Sequence, residues 1–507
     1  MQRMLWTYAG VFLSAMLLGL VVTQGMVWFA HRIKLFAPRN TRSVHALPTP
    51  RIGGVAIFVS LILVTVGMLL FDTHASEVFR ELHSKLLVLF VCGGFVFLFG
   101  LIDDIWGMRA SAKLAVQLIA AIVVCSYGIR IDQVTLFGWW FGWMAWPVTI
   151  LWIVGITNAV NLIDGLDGLS AGICATTCVV IGVFSAYTGQ VAMAILMAIL
   201  FGSLVGFLFF NFNPAKIFLG DSGSMFLGFF LATSSVICTA KVATVVGLLL
   251  PALALGLPLF DMLISIVRRV LERRSIFSAD RGHIHHRLLD MGLNHRNTVI
   301  VMYLITLAIV GLAALMMFLR EEGGELIVLV VSMLILLAVF RIAGVLRFRK
   351  MFEQVQSNLA RMREFRNDRK DFEHMQNRIK RAWTFKQWWL AVRRMARKMG
   401  FERIVIQYRD PASDEIKTLT YSRPTDNGAE DTMHLSIPVR SQLAKVLIHV
   451  EIDVPVQDSL EAIGRRVSLF GRLLDEHTLD TVFEEQNKIA YEKQTLAASS
   501  PGENYSS

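Results

Sequence analysis

Two adjacent aspartates, Asp103 and Asp104, are followed along the chain by Asn158, Asn161, Asp164 and Asp167 at three-residue spacing. Asp221 then stands in FLGDSGS, and His283, His285, His286 and Arg287 make up an HIHHR run. Carboxylate and amide oxygens are hard donors suited to Mg2+. Neighbouring arginine and imidazole N–H groups suit a diphosphate. The residue types thus describe chemistry on a phosphorylated substrate beside a divalent cation.

Each motif also has a plainer reading. Adjacent acids can mark an interfacial boundary, and NAVNLIDGLDGLSAG can be a glycine-rich turn whose aspartates serve as caps. Asp221 can cap the helix it precedes, although Gly220, Gly223 and Ser224 would also let a phosphate approach that helix end. The HIHHR run, read as a loop, can be a surface cluster or a metal site, but Arg281 and Arg287 beside it would repel a cation. Asp261 lies in an apolar segment, where an ionisable residue is costly and either serves function or bonds to a neighbouring helix. In SVHALPTPRIGG, Pro48 and Pro50 hold the chain extended, and Arg42, His45 and Arg51 offer cations at headgroup depth, as an ordinary positive-inside anchor also would.

The elements that must position these groups are apolar. Stretches able to cross roughly 30 Å of hydrocarbon recur near 6–30, 53–71, 86–102, 112–128, 144–163, 171–188, 191–210, 223–239, 242–267, 298–319 and 326–346, which predicts about eleven spans. Basic residues concentrate in one set of loops, at Arg32, Lys34, Arg39, Arg42, Arg51, Arg109, Lys113, Lys216 and the arginines from Arg268 to Arg296. The opposite loops hold only Arg3, Arg80, Lys85, Arg130, Lys241 and Arg320. The positive-inside rule puts the N terminus outside and the C-terminal region inside. All four chemistry-bearing motifs then fall on the cytoplasmic side. Asp103 and Asp104 would face the negative end of their helix dipole, which is unfavourable by a few tenths to about 1 kcal/mol each. A cation nearby is therefore expected.

Composition agrees with a membrane protein: 55% of the 507 residues are hydrophobic and 17% charged, with a mean hydropathy of +0.56. The net charge of +10 sits in loops and the C-terminal third, so anionic lipid headgroups rather than nucleic acid are the expected partner. All five cysteines fall in apolar runs, where a thiol is a small hydrophobe, and no disulfide framework is expected. The first apolar run is too long for a signal-peptide core and reads as a retained span.

The expected organisation is a membrane domain over 1–346 and a basic amphipathic helical linker over 347–400. An α+β module over 401–496 and a disordered tail over 497–507 complete it. The fold class is thus an all-α polytopic membrane protein with a C-terminal cytoplasmic α+β module.

The ordered set PTPRIGG, IDD with Lys113 and Gln117 following, NAVNLIDGLDGLSAG, FLGDSGS and HIHHRLL resembles the polyprenyl-phosphate N-acetylhexosamine-1-phosphate transferase family, glycosyltransferase family 4. The resemblance covers about residues 1 to 346. It implies transfer of a sugar 1-phosphate, N-acetylglucosamine 1-phosphate or a related N-acetylhexosamine, from a UDP-sugar to undecaprenyl phosphate. UMP would leave, in the initiating step of a surface polysaccharide such as O-antigen.

The resemblance further implies Mg2+, with Mn2+ as the alternative ion, on Asn161 and Asp221. Asp103, Asp104, Asp164, Asp167 and His283 form the implied catalytic set. Lys113, Asn158, Arg281, His285, His286, Arg287, Arg51 and His45 form the implied substrate-binding set. A bacterial inner-membrane location and a homodimer belong to the same expectation. Ile284 interrupts the histidine run, whereas the peptidoglycan translocase of this family usually carries three consecutive histidines, which argues against a muramyl-pentapeptide substrate. A nucleotide-sugar transporter is the alternative outside the family, but its polar groups would sit near the midplane in repeated helices. The last strands and helix are loosely similar to a GAF-type sensory module, leaving regulation and partner docking as alternative roles for the C-terminal third.

Overall fold

The structure, a computed structural model, describes residues 2–33, 49–70, 79, 83–131, 135–136, 139–140, 142–239, 246–275, 282–319, 324–345, 348–382, 384–409, 415–423, 432–440, 447–456 and 460–476. The chain divides into two compact units between Phe352 and Glu353.

The first unit is helical: α1 (Gln2–Ile33), α2 (Gly53–Leu70), α3 (His83–Trp106), α4 (Ala110–Ser126), α5 (Ala145–Ile163), α6 (Leu169–Tyr187) and α7 (Val191–Asn211) are followed by α8 (Gly220–Thr239), α9 (Val246–Ala254), α10 (Gly256–Leu271), α11 (Ile284–Asp290), α12 (His295–Leu319) and α13 (Gly324–Ile342). A two-stranded ribbon, β1 (Thr135–Leu136) and β2 (Trp139–Trp140), lies between α4 and α5. Among the described residues, eight helices are long and apolar enough to cross a membrane: α1, α2, α3, α5, α6, α7, α8 and α12. The shorter apolar helices α4 and 327–342 within α13 account for two more of the expected stretches.

The remaining stretch, expected as one span over 242–267, is instead two helices, broken at Leu255. Pro258 has no N–H to give the carbonyl of Ala254, so the i to i−4 ladder loses a bond there and resumes with Leu259 N donating to Leu255 O at 3.0 Å. The HIHHR run, expected as a loop, is helical from Ile284 onward.

Helix α8 packs against α2, α3, α5, α6 and α9. Beyond its first two turns and as far as Cys238 it carries no charged residue and is buried around its whole circumference, with only the small hydroxyls of Thr233, Ser234 and Ser235 interrupting its apolar surface. Phe226, Phe229 and Phe230 are fully buried on it, and Trp152 Nε1 of α5 donates to its Ser235 Oγ at 3.0 Å. Its N-terminal turn, by contrast, carries Asp221 and Ser222. The most enclosed helix of the unit therefore presents its polar end to the motifs.

The second unit holds the C-terminal part of α14 (Phe348–Lys380), α15 (Phe385–Lys398), an antiparallel sheet and α16 (Leu460–Glu476). The sheet has the order β4-β3-β6-β5, with β3 (Arg403–Arg409), β4 (Ile416–Ser422), β5 (Thr432–Arg440) and β6 (Leu447–Pro455). One face alternates Ile404, Ile406 and Tyr408 on β3 with Val450, Ile452 and Val454 on β6, and packs on Trp388, Val392 and Met395 of α15 and Phe470 of α16. Those α15 positions follow the i, i+4, i+7 spacing that makes one apolar stripe.

Candidate active site

Asp103 and Asp104 end α3, and each is held differently. Asp103 Oδ1 accepts from Met108 N at 2.5 Å, and Asp103 Oδ2 meets Lys113 Nζ at 2.5 Å. Lys113, on the first turn of α4, also pairs with Asp221 Oδ2. The cation expected to offset the helix dipole is thus Lys113, bridging two carboxylates. Asp104 instead caps α8 from outside: its Oδ1 accepts from Asp221 N at 2.8 Å, and its Oδ2 accepts from Ser222 N at 2.9 Å and Ser222 Oγ at 2.6 Å. The unpaired N–H groups and positive dipole end of α8 receive a carboxylate that would otherwise sit badly at the end of α3.

The approach that this requires is close. Gly220 has φ +76°, and a Cβ there would meet Asp104 Oδ2 at 2.7 Å and the Arg51 carbonyl. Arg51 is brought there by backbone pairing between two motifs: Phe218 N donates to Pro50 O (2.8 Å), Gly53 N to Phe218 O (2.9 Å) and Gly54 N to Leu219 O (2.9 Å). The PTPRIGG and FLGDSGS segments, far apart in sequence, therefore lie side by side.

The NxxNxxDxxD set closes the cleft. Asn158 Nδ2 donates to Val154 O at 2.8 Å and to Gln117 Oε1 at 2.5 Å. Asn161 Oδ1 accepts from Ser224 Oγ at 3.3 Å, one turn along α8 from Asp221. Asp164 follows α5. Burial holds its carboxyl well above the usual carboxylate range, and the charges of Asp221, Asp104 and Asp167 push it further up against the opposing pull of Arg51. Asp167 is buried and turned toward the following loop, where its Oδ2 accepts from Asn213 Nδ2 (2.9 Å) and Ala215 N (3.1 Å). Tyr303 Oη of α12 donates to Gly168 O at 2.5 Å, and Asn211 Oδ1 accepts from Gly168 N at 3.1 Å. Those two residues anchor the glycine-rich turn.

The histidine segment docks on the same turn. His285 is 2% exposed, and its Nε2 lies so close that a Cβ on Gly165 would meet it at 3.0 Å. Burial, reinforced by His286 and His283, pushes its pKa down to about 3, so the ring is neutral. Among the described residues its buried Nδ1 has no partner, nor has the buried Nε of Arg287. His286 lies against His285 at a tilt of 45°, with ring centroids 4.4 Å apart. His283 faces away toward α10, where its Nδ1 lies 3.0 Å from Asp261 Oδ2, while Asp261 Oδ1 accepts from Ile284 N at 3.1 Å. An ionised carboxylate only accepts, so this hydrogen bond puts a proton on His283 Nδ1. This same carboxylate caps the start of α11, which is why the run is helical rather than a loop. Ile284 is fully buried, so the residue interrupting the histidines is a packing contact.

Asp261→Asn removes the carboxylate that accepts this proton while retaining an oxygen for Ile284 N. Turnover should fall at least about tenfold with an altered pH profile. An unchanged rate and profile would show that His283 orientation is immaterial.

The structure thus brings together Arg51, Asp103, Asp104, Lys113, Asn161, Asp164 and Asp221, with His285 against the same turn. Asn158, Asp167 and His283 are occupied by bonds to Gln117, Asn213 and Asp261. His45 and Arg281 lie outside the described residues. Gln117, Ser222, Asp261 and Tyr303 were not among the expected site residues. Asp261 carried a signal as an acid in an apolar stretch, and Gln117 and Ser222 stood within quoted motifs, whereas Tyr303 carried none.

Residues 86–239, from the start of α3 to the end of α8, match the family model described as glycosyl transferase family 4. The chain is 35% identical over 302 residues to the probable undecaprenyl-phosphate N-acetylglucosaminyl 1-phosphate transferase of Bacillus subtilis, covering 58% of this chain and 80% of that one. It therefore belongs to glycosyl transferase family 4. It is also 32% identical to the decaprenyl-phosphate N-acetylglucosaminephosphotransferase of Mycobacterium leprae (58% and 80% covered). To the undecaprenyl-phosphate alpha-N-acetylglucosaminyl 1-phosphate transferase of Escherichia coli K12 it is 26% identical (56% and 77% covered).

Proposed function

We propose that the chain transfers N-acetylglucosamine 1-phosphate, or a closely related N-acetylhexosamine 1-phosphate, from its UDP-sugar to undecaprenyl phosphate and releases UMP. The relatives' names supply the sugar phosphate and the polyprenyl acceptor. The observation that carries the reading is the meeting of Asp103 and Asp221 on the single charge of Lys113, with Asp164 and Asp104 close by. Bringing two phosphorylated anions together is mainly a problem of charge.

Mg2+ fits this cluster. No group of three His, Cys, Asp or Glu among the described residues is arranged to hold a metal alone. Mg2+, however, is commonly held by one or two carboxylates together with water and substrate phosphates. Asp221 with Asn161, linked through Ser224, would hold it, and when bound it would neutralise charge on the donor diphosphate. Among the described residues the carboxylates around Asp164 outnumber the cations Lys113 and Arg51, so a further positive charge is favourable there.

The chain's own groups then divide the work. Lys113 is released toward phosphate oxygens as its carboxylates take other partners, and Arg51 lies at the rim. A phosphate monoester has its second pKa near 6 and needs little deprotonation at neutral pH. Both Asp104 oxygens are engaged by α8, which supports direct attack by the lipid phosphate over a covalent intermediate on that residue. Neutral His285 and the arginine beside it would contact the donor. In this reading the protein spans the bacterial inner membrane with the site and C terminus cytoplasmic, and starts a surface polysaccharide.

The test is purified protein given undecaprenyl phosphate, Mg2+ and a panel of UDP-amino sugars. UMP release is expected with UDP-N-acetylglucosamine or one of its relatives. Absence of UMP across the whole panel would overturn the reading.

A further inference from the structure

We propose that Gln117 is a substrate-binding residue whose side-chain amide donates to a phosphate oxygen. Gln117 is 1% exposed, on α4. The Val154 carbonyl, an acceptor only, receives Asn158 Nδ2 at 2.8 Å and so fixes which way the Asn158 amide points. That same Nδ2 reaches Gln117 at 2.5 Å, so Gln117 must turn its Oε1 toward it. Rotating the Gln117 amide would set donor against donor. Gln117 Nε2 is consequently left buried with no partner among the described residues.

A buried, unpaired amide donor is costly, and an oxygen acceptor brought by a ligand removes that cost. The placement identifies the acceptor. Gln117 is four residues beyond Lys113 on the same face of α4, about 6 Å further along the helix. Its partner Asn158 lies one turn from Asn161 on α5. This spacing puts the Gln117 amide one helical turn from Lys113, on the apolar side of the Asp103–Lys113–Asp221 cluster. A neutral donor can hold a phosphate oxygen there without upsetting the balance of charge among those carboxylates. The oxygen comes either from the lipid phosphate, which arrives through the bilayer, or from the donor diphosphate.

The inference rests on the transferase reading, and its test separates the two. Wild-type UMP release tests the reading. For Gln117, the variants are Q117M and Q117L, which remove the amide and keep much of its volume. Expected is a rise of at least about tenfold in KM for one phosphate substrate, with kcat little changed. A change in the polyprenyl phosphate KM assigns the lipid phosphate; a change in the UDP-sugar KM assigns the diphosphate. The melting temperature of the ligand-free variants should fall by no more than the loss of the one hydrogen bond that Asn158 gives to Oε1, because Nε2 itself was unpaired. A smaller melting shift on adding polyprenyl phosphate or UDP-sugar would report the same contact without turnover. Unchanged KM values and melting shifts overturn the proposal. So does failure of both variants to fold, or a ligand-free melting temperature lowered further than that one hydrogen bond accounts for, since each makes Gln117 a structural residue or the seat of a permanent water.

Discussion

Asp221→Asn is expected to reduce UMP release by about three orders of magnitude while leaving the chain folded. The two halves of that expectation come from different atoms of one residue. The carboxylate meets Lys113 beside Asp103, and it is the carboxylate that Asn cannot reproduce. Removing one negative charge leaves Lys113 held by Asp103 alone and takes away the stronger of the two oxygen donors offered to Mg2+ beside Asn161. The backbone N–H of residue 221, which donates to Asp104 at 2.8 Å, is unchanged by the substitution. The start of α8 should therefore keep its cap. Initial rates at saturating substrates over a Mg2+ series, with a melting curve on the same sample, check both halves. A rate within tenfold of wild type would remove Asp221 from the chemistry.

Asp104→Ala should produce the opposite balance, a loss of stability first and of activity as its consequence. Asp104 accepts three hydrogen bonds from the first turn of α8, and Ser222 beside it is fully buried. Alanine takes away the acceptor of all three donors at once. At about 1–3 kcal/mol for each buried donor left unpaired, the total is several kcal/mol. The damage falls on the helix against which α2, α3, α5 and α6 pack. Asp104→Asn keeps one accepting oxygen and should lie between alanine and wild type in melting temperature. Asp103→Ala, which frees only Met108 N and one partner of Lys113, should melt closer to wild type. Equal melting temperatures for Asp103→Ala and Asp104→Ala would contradict the capping role.

Adjacent in sequence and identical in type, these two aspartates show where a linear reading stops. Their presence at a helix end and their need for a cation follow from local rules, because the dipole of a helix is a property of its own backbone. Which cation, and which of the two carboxylates it reaches, depends on α4 folding back to present Lys113. That the second carboxylate meets a helix N terminus instead depends on α8, more than a hundred residues away.

Apolar length, helix ends and the residue types able to bind phosphate or Mg2+ were legible from the chain alone. Each is set by neighbours within a few residues or by hydrocarbon thickness. The family was legible for the same reason, through short motifs kept in a fixed order. The break at Leu255 was less so, since 242–267 is apolar on both sides of it and Pro258 interrupts only the backbone ladder.

Tertiary structure alone decided the division of labour. It turned Asp167 and His283 toward Asn213 and Asp261, and drew Gln117 beside Asn158. It pressed His285 onto Gly165, where burial keeps the ring neutral. Hydrogen bonds between buried groups on different helices are chosen by which atoms lack any other partner once water is excluded. That choice exists only after the helices have packed.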